Sequence, residues 1–522
     1  MEGNNETIDK KKGLSKGAII GIFIGIILLI GGGVAAYQIL WDNSPKAKYF
    51  AAEKATFEYM EDVIKDRYEA EFDWSEFTFE NPTETTLELS ANIGDLANDP
   101  MLQQMVNSSK LNLAIQSDMD DKKLSTDLGA EIAGVKIEDI AFSLDEENLY
   151  INLPFLSETI KISSGDLGEL IRTMDPYAFE EGFEIDFNDV FEQRSPFSEE
   201  DQEYFEKEYI KMIYDELSND SFESVEEDVT VFGEDINAEK ITFHLTEDDV
   251  KQLLEKLLTK MEKDDELKKI VKNQFELRMG MADDALVQEF MTEFDSILVE
   301  AKDSLDQISL PDGITSTIWI DQNIIVKRDF AVKIGDEEFG DVELTITGDQ
   351  LLTKEQQQFD YEFLAEDAYG PSSLFLEGDL SWKDNKATDS IKLSVPDTFE
   401  ISYLGSEELN KGTREFNREI SAGDGYYGGT LFWDGTSTYE KDQMNSEHSF
   451  SLEIDDLGRD LFALNVAIAG QKIKEVEMPS GDNIVDIGQM SEQELNEYIQ
   501  FDLAGQFQQW LGEIMYQFGG GF

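Results

Sequence analysis

An uncharged stretch of 24 residues, Gly17 to Leu40, constrains this chain more than any other feature of its sequence. Lys16 precedes it, Asp42 follows it, and its centre is mostly Ile, Leu and Phe. A helix rises about 1.5 Å per residue, so this stretch is long enough to cross a hydrocarbon core of about 30 Å. The sequence therefore predicts a transmembrane helix over residues 17–40, preceded by a cytoplasmic basic tail over residues 1–16.

The charges around this stretch predict its orientation. Four lysines precede it, and cytoplasmic flanks of membrane helices are rich in Lys and Arg; they are Lys10, Lys11, Lys12 and Lys16. The sequence thus predicts a single-pass protein of the cell membrane with a cytoplasmic N-terminus and an extracellular bulk. A cleaved signal peptide with its site near Val34-Ala35-Ala36 is the alternative.

Two glycines inside the stretch, Gly21 and Gly25, form a G-x-x-x-G pair. Small residues at this spacing let two membrane helices approach closely, so the pair permits a homodimer. Glycine is also simply common in membrane helices, and this second interpretation stays open.

The composition excludes several classes of protein. There are 42 basic and 113 acidic residues, a net charge of −71, and no cysteine. Nucleic-acid binding is excluded because phosphate contacts require Lys and Arg, and thiolate chemistry and disulfides are excluded by the absence of cysteine. With 40% hydrophobic residues the chain still has a core. The acidity has two interpretations, adaptation to salt and attraction of cationic partners.

Beyond Asp42 the hydrophobic periodicity alternates between helix and strand. Helical spacing begins at Ser44-Pro45 and returns in later segments, at residues 199–217, 246–308 and 491–518. Period-two alternation predicts many strands joined by short polar turns, at residues 87–93, 111–115, 124–132, 137–144, 149–153 and 159–163, and again through most of 315–477. The expected fold is α+β, with curved antiparallel sheets packed on long helices in two related halves.

The sharpest break in this pattern is Pro311-Asp312-Gly313. It divides the outer part into a first extracellular α+β region, residues 45–310, and a second extracellular β-rich region with a C-terminal helix, residues 311–522.

Two resemblances to known families follow from these residues. The start Lys11-Lys12-Gly13-Leu14-Ser15-Lys16-Gly17, the apolar span and Asn43-Ser44-Pro45-Lys46 resemble a family of membrane-anchored extracellular proteins of Gram-positive bacteria, classed as a domain of unknown function. The segments Phe142 to Leu153 and Ile318 to Lys327 are similar to hairpins of LolA/LppX-like half-barrel lipoprotein carriers. This second resemblance implies a cavity for an acyl chain, although those carriers are far smaller.

No motif in the sequence predicts a catalytic or cofactor-binding residue. His244 and His448 lie in strand patterns without partners of a catalytic triad or a zinc site. Alternation predicts that His244 lies on the face opposite to that of Phe243, and that His448 shares a face with Phe450. Gly423 to Gly428 matches G-x-G-x-x-G, but a strand pattern follows it where a dinucleotide site needs a helix, so it indicates a hairpin turn. A carboxylate-based hydrolase remains a distant alternative.

Calcium is the one metal with candidate ligands, because it prefers oxygen. The candidates form two acidic groups; they are Asp118, Asp120 and Asp121, and Asp186 and Asp189. Neither group completes an EF-hand loop, so solvated turns are the alternative. Several aromatic residues are candidates for a ligand surface or for the core; they are Trp382, Tyr426, Tyr427, Trp433 and Trp510.

The resulting functional prediction is a non-enzymatic cell-surface protein that binds a hydrophobic or lipid ligand at the outer membrane face. A structural or interaction module of the cell envelope, which binds protein or wall polymer, is the alternative.

Overall fold

A computed structural model describes residues 43–94, 99–174, 187–191, 198–279, 284–336, 340–454 and 458–517. The chain divides into two compact units whose segments are interleaved along the sequence. The first unit comprises Met1–Ile64, Arg194–Asp379 and Lys392–Pro396. The second unit comprises Lys65–Gln193, Leu380–Ile391 and Asp397–Phe522. Pro311, the expected boundary, lies within the first unit.

The helices of the described residues fall into separate stretches of the chain, mostly where helical periodicity predicts them. They are α1 (Pro45–Arg67), α2 (Glu69–Glu80), α3 (Pro100–Asn107), α4 (Ser164–Met174), α5 (Asn188–Phe191), α6 (Glu199–Phe205), α7 (Lys211–Glu216), α8 (Glu247–Lys263), α9 (Asp265–Met279), α10 (Asp284–Ser304), α11 (Glu492–Glu497) and α12 (Ala504–Gln517). Wider helical turns at Glu206–Ile210 and Tyr498–Leu503 join α6 to α7 and α11 to α12.

The described residues contain 21 strands. They are β1 (Thr83–Ile93), β2 (Lys110–Asp118), β3 (Lys123–Ile132), β4 (Val135–Leu144), β5 (Asn148–Asn152), β6 (Thr159–Ser163), β7 (Phe222–Val231), β8 (Glu234–Leu245), β9 (Ile308–Ser309), β10 (Ile314–Asp321), β11 (Ile324–Asp336), β12 (Gly340–Leu352), β13 (Gln356–Asp367), β14 (Gly370–Lys383), β15 (Lys386–Val395), β16 (Phe399–Asn410), β17 (Thr413–Gly423), β18 (Gly428–Glu440), β19 (Gln443–Ile454), β20 (Phe462–Lys472) and β21 (Ile484–Asp486).

In the first unit, strands pair antiparallel in the order β7, β8, β10, β11, β12, β13, and β9 pairs with the end of β11. Helix α8 begins with a capping box, in which Thr246 and Asp249 satisfy each other's backbone N–H groups. Its apolar stripe is buried with Ile241 and Ile318 in one hydrophobic core. Burying each such Leu or Ile side chain contributes roughly 1.5–3 kcal/mol.

In the second unit, strands pair in the order β16, β17, β18, β19, β20, β1, β2, β3, β4, β5, β6, β21. These pairs are antiparallel except for β6 and β21, which are parallel. Because side chains alternate along a strand, the register assigns each residue of these strands to one of two sheet faces.

Helices α2, α4 and α11 of the second unit pack on one of those two faces. Trp74 of α2 packs against Gly470 of β20. At β6, α4 and α11 contribute Leu170 and Leu495 to a small hydrophobic core with Ile160 and Ile162. Burial of these apolar residues holds the helices to the sheet.

The expected fold class is wrong. The prediction is an α+β fold, with an N-terminal transmembrane helix and curved antiparallel sheets packed on long helices in two related halves. The described residues instead form a mainly β fold with 21 strands. Alternation located β1 to β6 well, but long strands of 10–14 residues run almost continuously from β10 to β20 and outweigh the helices.

The predicted membrane helix, residues 17–40, lies outside the described residues. Among the residues that the structure does describe, no helix combines the length and the hydrophobicity needed to cross a membrane.

Candidate ligand-binding face of the second unit

One face of the second-unit sheet is polar and carries two adjoining hollows. One hollow, of about 540 Å³, is lined by residues of β1 and of β17 to β20, among them Glu88, Glu415 and Glu447. The other, of about 760 Å³, extends over β2 to β4 and shares Glu88 and Glu447 with the first. Glu88 pairs with Lys110 at 2.8 Å, and both side chains are more than two-fifths exposed. This polar face is thus a solvated acidic surface, on which such ion pairs contribute little to stability.

The opposite face is apolar, as the residues that pair across neighbouring strands show. In one row Ile420 pairs with Leu431, and Leu431 pairs with Leu452. In another, Val466 pairs with Leu89, and Leu89 pairs with Leu111. We call this surface of β16 to β20 and β1 to β4 the apolar face.

Large side chains of the apolar face remain accessible to solvent. Eight of them are 36% to 53% exposed: Leu111, Leu128, Phe142, Ile401, Ile420, Leu452, Ile454 and Phe462. The last five of these lie together at one end of the sheet, where β16 and β20 begin and β17 and β19 end. We call these five residues the apolar patch: Ile401, Ile420, Leu452, Ile454 and Phe462. Exposed apolar surface that is concentrated in this way is typical of binding sites rather than of ordinary protein surface.

A group of charged side chains borders the apolar patch on the same face. Glu407 of β16, whose side chain is fully buried, accepts hydrogen bonds from three arginines and a tyrosine; they are Arg67, Arg414, Arg418 and Tyr68. Arg67 also forms a two-pronged pair with Asp389, with its Nη2 2.6 Å from Oδ2. Arg414 pairs in addition with Glu71 at 2.7 Å. We call Arg67, Arg414 and Arg418 with these carboxylates the arginine cluster.

The charges of the arginine cluster fix the ionisation of Glu407. Burial would raise the pKa of its carboxyl, but the charge of Arg67 and the hydrogen bonds from Tyr68 and Arg418 hold that pKa below its usual value. Glu407 is therefore a buried anion. Burial, opposed by the charge of Arg67, raises the pKa of Tyr68, which keeps its hydroxyl protonated as the donor to Glu407.

Aromatic rings hold the guanidinium groups in place. The guanidinium carbon of Arg418 lies 4.3 Å from the ring centre of Phe416 and 4.4 Å from that of Trp433. Arg67 and Arg414 lie near Trp382 and Tyr68. Such cation–π contacts contribute about 0.5–2 kcal/mol each, depending on how far the cation is desolvated.

His448 belongs to the same face. Its Nδ1 accepts a hydrogen bond from Trp433 Nε1 at 3.2 Å, and its Nε2 lies 3.1 Å from Ser446 Oγ. Burial, followed by the charge of Arg418, lowers the pKa of His448. The neutral imidazole of His448 thus accepts the indole N–H and orients the Trp433 ring.

The two predictions for histidine parity are confirmed. His448 shares its face with Phe450, as the alternation predicted. His244 lies on the face opposite to that of Ile241 and Phe243, where its Nδ1 is 3.0 Å from Thr315 Oγ1. The glycine-rich segment Gly423 to Gly428 is the hairpin turn between β17 and β18, as expected.

The calcium candidates stay a prediction. Asp118 is the last residue of β2, and Asp120 and Asp121 lie in the turn to β3. Asp118 accepts a hydrogen bond from the backbone N–H of Asp121 at 3.0 Å, and Asp121 pairs with Lys123 at 3.3 Å. Asp186 lies outside the described residues, and Asp189 is in α5. The described part of the chain contains no group of three or more His, Asp or Glu side chains arranged to hold a metal.

The aromatic candidates separate into three places. Trp382 and Trp433 contact the arginine cluster. Tyr426 and Tyr427 are exposed at the hairpin tip. Trp510 packs against Phe507 and Phe155. The arginine cluster itself was missed, and its sequence signal was slight, since only the i, i+4 spacing of Arg414 and Arg418 on one strand face pointed to it.

No protein family model matches the sequence, and no curated protein matches it. Some solved structures do match, all with very low identity. They include OmpTdeltaL8, an outer membrane protein of Vibrio cholerae (7% identity, TM-score 0.21, 75% of this chain and 98% of that chain), and Pseudomonas aeruginosa OccK3 (8% identity, TM-score 0.23, 76% and 96%). A BenF-like porin from Pseudomonas fluorescens matches with 7% identity, a TM-score of 0.22 and coverages of 75% and 97%. TM-scores this low carry no argument about the fold or role of this chain.

The two family resemblances are corrected by these comparisons. Neither the Gram-positive family nor the LolA/LppX-like carriers are recovered, since no family model matches and the described residues form a mainly β fold with 21 strands. The physical reason lies in the quoted hairpins, because short alternating segments occur in any antiparallel sheet.

The predicted localisation and partners are corrected as well. A single-pass protein anchored through Gly17 to Leu40, and a homodimer through Gly21 and Gly25, rest on a segment outside the described residues. No helix within the described ranges is suited to cross a membrane. The anchor and the glycine-mediated dimer are therefore not retained.

Proposed function

We propose that this protein is a non-enzymatic binding protein whose apolar face holds an elongated hydrophobic ligand. The observation that carries the proposal is the apolar patch, in which five large side chains of adjacent strands are each more than a third exposed.

The sheet geometry favours an extended ligand over a compact one. Rows of the patch run across β16 to β20, and successive strands are about 4.8 Å apart. An alkyl chain lying across several strands would cover the exposed parts of Ile420, Leu452 and Phe462 together. Each Å² of apolar surface removed from water contributes roughly 25 cal/mol, so the gain grows with the length of chain in contact.

Around Ile420 and Leu452, apolar side chains on one face alternate with polar side chains on the other. Leu452 is flanked on β19 by Ser451 and Glu453, which lie on the polar face, and Ile420 is flanked by Glu419 and Ser421. This alternation supplies matched controls, because neighbouring residues of one strand meet different surfaces.

The test is binding of hexadecanol and of the fluorescent apolar probe N-phenyl-1-naphthylamine to the purified full-length chain. We expect the double variant Ile420→Gln and Leu452→Gln to weaken binding of both compounds about tenfold or more. Two apolar side chains that the bound ligand would cover then become polar. The control double variant Glu419→Gln and Glu453→Gln should bind like the original chain. All three proteins share residues 17–40, so any binding to that apolar stretch cancels.

Native mass spectrometry followed by organic extraction provides an independent measurement. A stoichiometric extra mass that extracts with lipid supports the proposal. Equal binding by both double variants, together with a bare chain mass, contradicts it and favours the alternative of an envelope interaction module. Pull-down from envelope material is then the appropriate experiment.

A further inference from the structure

The three arginines of the arginine cluster are not equally satisfied. Arg67 donates from Nε, Nη1 and Nη2, and so does Arg414. Arg418 donates once, from Nη2 to Glu407 Oε1 at 2.8 Å, and its buried Nε has no hydrogen-bond partner in the described part of the chain. A desolvated guanidinium with unused donors is unfavourable unless an acceptor is supplied.

The position of Arg418 connects this incomplete hydrogen bonding to the apolar patch. Arg418 and Ile420 are two residues apart on β17 and share a face, so they are about 7 Å apart along the strand. The rings of Phe416 and Trp433 lie against the guanidinium group. The side chain is 14% exposed, so part of it remains accessible to an acceptor.

The three guanidinium groups of the arginine cluster are matched by three carboxylates, so the cluster itself carries no excess negative charge that would repel an anion at Arg418, although the whole chain is strongly acidic. Arg67, Arg414 and Arg418 share the single carboxylate of Glu407, and the only other buried carboxylate that they contact among the described residues is Asp389. Glu71, at the edge of the cluster, is engaged by Arg414. Repulsion from more distant surface acids is screened within about 8–10 Å at physiological salt.

We infer that Arg418 receives the anionic head group of an amphiphile whose alkyl chain lies on the apolar patch. This inference rests on the proposed function and specifies the ligand class. A carboxylate or a phosphate supplies the same chemistry, two or more oxygen acceptors for a guanidinium group. Because Arg418 and Ile420 are about 7 Å apart on the same face of β17, a head group at Arg418 brings the first carbons of the alkyl chain onto the apolar patch.

The experiment compares three ligands with the same C16 chain: palmitate, hexadecyl phosphate and hexadecanol. Binding to the full-length chain is measured by displacement of N-phenyl-1-naphthylamine. Because hydrogen bonds between a guanidinium group and an anion are stronger than those between neutral groups, the anion should tighten binding about tenfold or more over hexadecanol. The Arg418→Gln variant should lose this advantage and bind all three ligands alike, whereas Arg418→Lys should keep part of it.

Arg459 supplies the matched control. It belongs to the same unit, but it contacts Asp434 and Ser451 on the polar face. The Arg459→Gln variant changes the net charge by the same amount as Arg418→Gln, so it should leave the preference for the anion intact. If Arg418→Gln and Arg459→Gln lower the preference equally, the effect is one of overall charge, and the inference is overturned.

The outcomes separate this inference from the proposed function. If the original chain binds none of the three ligands, the proposed function fails. If it binds hexadecanol as tightly as palmitate and hexadecyl phosphate, the apolar site stands and the role of Arg418 is overturned. A preference for only one of the two anions supports the inference and identifies the head group. A variant that has lost its fold loses hexadecanol as well, so misfolding is recognised directly.

Discussion

Trp74 of α2 lies directly over Gly470 of β20, so close that a Cβ atom on Gly470 would be 2.5 Å from the Trp74 Cζ2 atom. The indole therefore packs against bare backbone, and glycine is required by the approach of the helix rather than by its backbone angles. We expect Gly470→Ala to lower the free energy of unfolding by about 1–3 kcal/mol, because the ring must shift. Urea denaturation followed by tryptophan fluorescence measures this loss.

Gly129 on β3 is the control for that substitution. A Cβ atom there would meet its nearest atom, Ile137 O, at 3.7 Å, which is ordinary contact. Gly129→Ala should therefore change the urea midpoint little. Equal loss from both substitutions would show that strand glycines matter for a reason other than the approach of Trp74.

Glu407 is the carboxylate that three arginines share, and its neighbour Glu408 is its natural comparison. Glu407→Gln leaves buried guanidinium groups without their anion, so we expect a loss of about 3–5 kcal/mol in the free energy of unfolding. Glu408 pairs with Lys386 at the surface, where both side chains are more than half exposed. Glu408→Gln should cost less than about 1 kcal/mol. Similar urea midpoints for the two variants would contradict the expected contribution of the arginine cluster to the free energy of unfolding.

Two neighbouring residues of α10 test the core of the first unit. Leu298 is 1% exposed and belongs to the large hydrophobic core, whereas Val299 is 44% exposed. Leu298→Ala should lower the free energy of unfolding by about 2–5 kcal/mol, since it removes buried methyl groups and leaves a cavity. Val299→Ala should change it by less than about 0.5 kcal/mol, as is usual at the surface. Thermal denaturation monitored by circular dichroism compares the two.

Local patterns in the sequence were sufficient to predict many strands. The alternation of apolar residues located β6 at its observed bounds, Thr159–Ser163, and predicted which face of β19 carries His448. The hairpin at Gly423 to Gly428 followed from its glycines. These features depend on residues close together in the chain, where periodicity and turn chemistry decide the structure.

The pairing of distant strands could not be predicted in the same way. Strand β1 lies between β2 and β20, so Leu87 pairs with Ile468 across most of the chain. The arginine cluster also depends on contacts between distant segments, because Arg67 and Glu407 are 340 residues apart in sequence. No local pattern specifies which of many alternating segments become neighbours. The balance between helix and sheet, and therefore the fold class, was misjudged for this reason.

His448 makes the stability of the second unit depend on pH. Burial and the charge of Arg418 hold the pKa of His448 below its ordinary value near 6.5, so the unfolded chain binds the proton more readily than the folded protein. The stability that the protein gains from a neutral His448 is fully present above about pH 6.5. It is lost as the pH falls through the pKa of His448 in the folded protein. Between pH 7.5 and pH 5.5, the free energy of unfolding should therefore fall as acid is added.

The two histidines of the chain allow this dependence to be assigned. His448→Gln should flatten the decline between pH 7.5 and pH 5.5, because glutamine does not titrate. His244→Gln, at the exposed histidine of β8, should leave the decline as it was. Urea denaturation at a series of pH values measures both variants against the original chain. Since carboxyl groups titrate mainly below this range, a slope that persists in His448→Gln would contradict the assignment.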